Sequence, residues 1–275
     1  MRIVVSSIYV VPQGALGVLS KKKTGFYGPV MNQSEYVSAQ LLRDAIRTRP
    51  AARPLRALLD QLGLLETVHD PIDCDIVFSP QYVDGKDGKA VTEVEYEPYD
   101  LSGNGPVVER IQESLREPGV YILVGGPTYN AVVAYLMTRI PEDQAWFSFT
   151  TSAQGEPQIV AEKGRRGQQA YPQEWRSINA ERVLVDHFIL QKITGYGPAK
   201  ATVFVCAGLS SLGTAVAVSL LASRWRQLEN HFGAGGFAQV YRFDNRRDVA
   251  MPAADDVDKA MQSVTAPIWQ PRLAD

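Results

Sequence analysis

Cysteine and histidine are scarce in this chain, with two of the former and three of the latter in 275 residues. Cys74 and Cys206 lie far apart, and each borders a strand-like apolar run. That placement fits reduced thiols in a cytoplasmic protein better than a disulfide framework. No Cys or His spacing suits a zinc site, so no bound metal is expected, and the sequence leaves any other cofactor open. A basic excess is also missing: 28 Lys and Arg face 30 Asp and Glu, for a formal net charge of −2. The charge balance therefore gives no electrostatic pull toward DNA, RNA or an anionic membrane. No apolar run approaches the ~20 residues that span a bilayer. The opening MRIVVSSIYVVPQGA has its apolar stretch broken by Ser6, Ser7 and Tyr9, and it reads as a first β-strand rather than an export signal. These absences leave a soluble protein with a small-molecule partner as the expectation, with homo-oligomerisation open.

What is present is an alternation of strand and helix patterns. Residues 1–70 read as an N-terminal strand plus a helical segment. A glycine-containing loop (Pro12 to Gly28) precedes a helix that Ser34 can cap, carrying Tyr36, Val37, Leu41, Leu42, Ala45 and Ile46 at helical spacing. A shorter helix follows from Leu55 to Leu65, after a basic, proline-punctuated connector bearing Arg47, Arg49, Arg53 and Arg56. Residues 71–275 read as one α/β unit, and residues 1–70 can belong to it. Its pieces are strand DIVFSP, a hairpin around Asp87-Gly88, a helix from Pro106 to Glu117, strand VYILVG, helix NAVVAYLMTRI, and the antiparallel pair AWFSFTT and EPQIVAEK closed by Gln154-Gly155. A polar loop from Gly164 to Asn179 then leads to strand VLVDHFILQKI. The last unit is strand ATVFVCA, turn GLSSLGT, an amphipathic helix with Val218, Leu221, Trp225, Leu228 and Phe232 in one stripe, and strand GFAQVYRFD. The pattern predicts an α/β, Rossmann-like fold: a mostly parallel sheet flanked by helices, with an antiparallel hairpin excursion.

Two turns at the carboxyl ends of buried strands are the candidate ligand-binding sites, because helix N-termini there present unpaired N–H groups. In the first, Gly125 and Gly126 allow close approach of a ligand, and Thr128 and Asn130 offer hydrogen bonds to phosphate or ribose oxygens. The second lacks the middle glycine of G-x-G-x-x-G. It offers Gly208 for the turn, Ser210 and Ser211 as hydroxyl donors, Gly213 for helix packing and Thr214 as a cap or ligand contact. That substitution favours a mononucleotide over a dinucleotide, with Asp244 at the end of the next strand as a ribose-binding acid. The expected function is a nucleotide-binding sensor for a phosphate-bearing small molecule, of the kind that serves signalling or bacterial defence. The rival readings are an enzyme that hydrolyses or deglycosylates a nucleotide, with Glu35, Asp186 or Asp244 as acids, and a protein-interaction module.

Weaker patterns have plainer explanations. Lys22 stands where a P-loop ending in Lys23-Thr24 needs glycine, so Lys21 to Lys23 read as a solvated run. A Cys206–His187 pairing would require the histidine strand to lie alongside, and Cys206 within its apolar run reads as an inert core thiol. His69, Asp70, Asp73 and Asp75 suit a loop entering a strand. Glu93, Glu95 and Glu97 alternate along one exposed hairpin face.

Overall fold

The computed structural model describes residues 2–5, 39–43, 75–78, 108, 111–112, 115–127, 130–162, 168–178, 181–245, 254–264 and 266–271. The glycine-containing loop after the first strand, the 55–65 helix, the basic connector, the Asp87-Gly88 hairpin, the glutamate row, Lys21 to Lys23, Glu35 and His69 to Asp73 lie outside them. In chain order the described elements are β1 (Arg2–Val5), β2 (Asp75–Phe78), β3 (Val120–Val124), α1 (Ala131–Met137), β4 (Phe147–Thr151), β5 (Pro157–Glu162), β6 (Gln168–Pro172), β7 (Glu174–Ile178), β8 (Glu181–Tyr196), β9 (Ala201–Gly208), α2 (Ser211–Phe232), β10 (Phe237–Asn245) and α3 (Ala254–Ser263). A seven-stranded sheet runs β10-β8-β9-β3-β1-β2, with β7 also paired to β8, and a three-stranded sheet runs β4-β5-β6.

The large sheet is mixed, which corrects the expectation of a mostly parallel, Rossmann-like sheet. β1 pairs in parallel with β2 and β3, and β3 with β9, but β8 is antiparallel to β7, β9 and β10, and the small sheet is antiparallel throughout. The cause is local. Residues 197–200 join β8 to β9, with Gly197 and Lys200 at positive φ and the Lys200 N–H bonded to the Gly197 carbonyl. Parallel neighbours need a crossover of about a dozen residues or more, so this link can only close a hairpin. α2 does carry the chain from β9 to β10 as a crossover, but β8 occupies the lane between them. The β-α-β unit is therefore split by an antiparallel strand.

β8 reads as a nearly unbroken apolar run because both of its faces are covered. Ile189 and Ile193 join the core shared with α1 and the small sheet, while Phe188 and Leu190 join the core beneath α2 and α3. The stripe from Val218 to Phe232 packs into that second core, and Gly233, at positive φ, follows the last residue of α2. The expected loop from Gly164 to Asn179 contains β6 and β7 instead. Its polar composition reflects strands with one face outward, since Tyr171 is the single buried residue of β6.

Candidate functional site

Because β3 and β9 are parallel neighbours, with Val124 opposite Cys206, the two turns that follow them sit edge to edge. The Gly125 N–H donates to the Cys206 carbonyl at 3.0 Å, and a Cβ on Gly126 would lie 3.5 Å from the Gly208 carbonyl oxygen. Gly125 holds φ +112, a conformation that side chains disfavour. Past this turn, Asn130 is fully buried and caps α1. Its Oδ1 accepts from the Val132 and Val133 N–H groups, and its Nδ2 donates to the Val124 carbonyl at 2.9 Å. Asn130→Ala is expected to lower stability by about 2 kcal/mol through loss of the cap and of a buried bond to the strand end. Thermal unfolding checks this; an unchanged melting temperature would refute the capping role.

The second turn is built on itself. Ser210 Oγ accepts from the Gly213 N–H at 3.0 Å and so caps α2, while Thr214 Oγ1 accepts from the Gly208 N–H and donates to the Ser210 carbonyl, both at 3.2 Å. Ser211 is the first residue of α2. Gly208 and Gly213 meet backbone to backbone: a Cβ on Gly208 would stand 2.4 Å from the Gly213 carbonyl carbon.

Beneath that cap lies Asp186, which is fully buried. Its carboxylate accepts hydrogen bonds from the Ser210 hydroxyl, the His187 N–H and the Gln173 side chain. Burial raises its pKa to about 6 against the lowering effect of those three bonds. Topology explains its position. On one side of β8, β9 pairs up to Phe188 and β7 pairs only as far as Val185, so Asp186 and His187 fall at the gap between two strands sharing a lane. The Leu209 N–H bonds the His187 carbonyl at this break.

The sequence-derived residues are thus partly gathered. Gly125, Gly126, Asn130, Gly208, Ser210, Ser211, Gly213 and Thr214 gather at the carboxyl ends of the adjacent central strands β3 and β9. Thr128 lies outside the described residues. Asp244 pairs with Val185 two lanes from β9, roughly 10 Å across the sheet, bonds Arg242 at 3.1 Å and, among the described residues, has no glycine turn beside it. The nucleotide-binding expectation takes residues 201–244 as one β-α-β element with Asp244 after its second strand, and the antiparallel β8 lying between β9 and β10 removes the parallel-sheet basis for it. Cys206 lies opposite Leu190 in the core under α2, with burial raising its thiol pKa well above the ordinary range, whereas His187 faces the opposite side of β8. They form no dyad. Gln173, Tyr171 and Arg242, which surround the lane break, carry no sequence signal beyond ordinary strand alternation.

No family model, curated protein or solved structure matches the chain. Among the described residues no helix is long and apolar enough to cross a membrane, and no cluster of three His, Cys, Asp or Glu side chains has metal-binding geometry.

Proposed function

We propose that the protein is a cytoplasmic ligand-binding sensor that takes a phosphate-bearing small molecule across the adjoining turns Gly125–Gly126 and Gly208–Ser211. The observation that carries this reading is the Gly125 to Cys206 hydrogen bond, which locks two strand-to-helix turns side by side. α2 begins there with 22 residues of aligned peptide dipoles, an arrangement that attracts anions. Asp186 opposes an anion when ionised and stops opposing it when protonated. With its pKa near 6, affinity for a phosphodiester, whose own charge stays fixed, should rise as pH falls from 7 to 5. Constant affinity across that range would place the ligand away from α2.

Gly126→Leu puts a side chain into the strip between the turns. The probes are inorganic pyrophosphate, sugar phosphates and nucleotides, assayed by calorimetry. The variant should stay folded and lose at least tenfold in affinity for whichever probe the parent binds; equal affinity in a folded variant sinks the site. Asp186, buried and with a raised pKa, gives the hydrolytic reading its one specific support. Turnover of a bound probe would favour that reading over a sensor.

A further inference from the structure

We propose that Ser210 is a nucleophile activated by Asp186, and that the turn between β9 and α2 takes an uncharged carboxylic ester as its substrate. The inference does not rest on phosphate binding. It needs a hydroxyl, a base and access, and each is present. The Ser210 hydroxyl donates to Asp186 Oδ2. The His187 N–H donates to Oδ1 at 2.7 Å and so fixes the other end of the carboxylate. A hydroxyl bonded to a base that a third group orients is the arrangement that activates a serine.

Access comes from the turn itself. Gly208, Leu209, Ser210 and Ser211 are all partly exposed, whereas Asp186 beneath them is fully buried. A hydroxyl oxygen carries two lone pairs. The Gly213 N–H donates to one of them at 3.0 Å, and the other has no donor among the described residues, which leaves it for attack. Asp186 suits the role of base. The groups facing it are uncharged: Ser210 and Gly213 from the turn, Gln173 ahead of β7, and Phe243 opposite it on β10. Burial raises its pKa to about 6, so it is ionised at pH 7 yet basic enough to share a serine proton in a transition state.

The reaction needs water as its one co-reactant. Ser210 Oγ bonds to the ester carbonyl carbon while its proton passes to Asp186. The bond from that carbon to the alcohol oxygen then breaks, and the alcohol leaves with the proton. Water repeats the sequence: Asp186 takes a water proton, the water oxygen bonds to the acyl carbon, and Oγ leaves with the proton returned to it. In both attacks the negative charge on the carbonyl oxygen is met by the positive end of the α2 peptide dipoles. A substrate carrying its own negative charge would be opposed by the ionised carboxylate, so an uncharged ester is the fitting class.

A fluorophosphonate and p-nitrophenyl acetate, applied to the full chain with peptide mapping by mass spectrometry, test this. The fluorophosphonate should modify Ser210 at a rate that rises about tenfold from pH 5 to 7, as Asp186 ionises, and then levels off. Asp186→Asn should slow that modification by about a hundredfold or more. Ser210→Ala should abolish turnover of p-nitrophenyl acetate. Should Asp186→Asn fail to fold, the pH profile of the parent decides: a rate that keeps climbing about tenfold per unit above pH 7 means that hydroxide removes the proton, and overturns the proposal. An unmodified Ser210 overturns it too and leaves that residue as a helix cap alone. Ester turnover that survives Ser210→Ala has the same force.

Discussion

Gly208→Ala is expected to destabilise the protein by about 3 kcal/mol or more, the upper range for forced overpacking. The added methyl would lie 2.4 to 2.6 Å from Gly213 C, Thr214 N and Gly213 Cα, all backbone atoms of the first turn of α2. No rotamer change relieves such contacts, so the helix must lift from β9. Lifting also breaks the Gly208 to Thr214 bond and moves Ser210 off Asp186. Gly126→Ala is the control, since its nearest atom would be 3.5 Å away, and it should change stability by no more than about 0.5 kcal/mol. Urea unfolding of both measures the difference. If Gly208→Ala unfolds at the same midpoint as the control, the close approach of α2 to β9 is not a requirement of the fold.

The second large effect concerns pH. Asp186 has its pKa raised from 3.8 to about 6 in the folded protein, so the folded state binds the extra proton between those values. Its contribution to stability is greatest below pH 4 and falls as pH rises to 6, a change of about 3 kcal/mol at 1.36 kcal/mol per unit. His187 runs the other way. Its pKa is lowered from 6.5 to about 4, so the unfolded state binds the extra proton, and stability is lost by about 3 kcal/mol as pH falls from 6.5 to 4. At pH 5 folding thus moves one proton from the histidine to its neighbour, with no net uptake by the pair.

The two slopes nearly cancel in the parent protein, and each should appear alone when the other group is removed. Asp186→Asn should lose about 3 kcal/mol between pH 6.5 and 4 relative to the parent. His187→Gln should gain a similar amount over the same acidification. Denaturant midpoints across that range give both curves. Parallel pH profiles for parent and both variants would mean that neither group is held in its unfolded-unlike protonation state.

These expectations rest on residues whose roles were unequally legible. The helix stripe from Val218 to Phe232 and the turn glycines declare themselves, because periodicity and glycine placement are local properties. Strand direction is not local. VLVDHFILQKI looks the same whether parallel or antiparallel, and the informative feature was the short link TGYGPAK, which has no room for a crossover. Reading it as a hairpin would have split the β-α-β unit and moved Asp244 away from Gly208 at once. β6 and β7 were hidden for another reason: a half-exposed strand with only Tyr171 buried is as polar as a loop. Asp186 was visible as an acid, but its burial under the α2 cap depends on where β9 stops and β7 starts along β8. No pattern within any one strand encodes that gap.

The central claim is that the paired turns hold a ligand, and a thermal-shift panel of inorganic phosphate, pyrophosphate, sugar phosphates and nucleotides, with mass analysis of each mixture afterwards, tests it most directly. A ligand at about a hundred times its dissociation constant adds roughly 2.7 kcal/mol and should raise the melting temperature by roughly 5 °C. The account predicts such a rise for at least one probe, with the probe recovered intact and the rise abolished in Gly126→Leu. A panel in which nothing shifts the parent protein, or in which Gly126→Leu responds as the parent does, would contradict it.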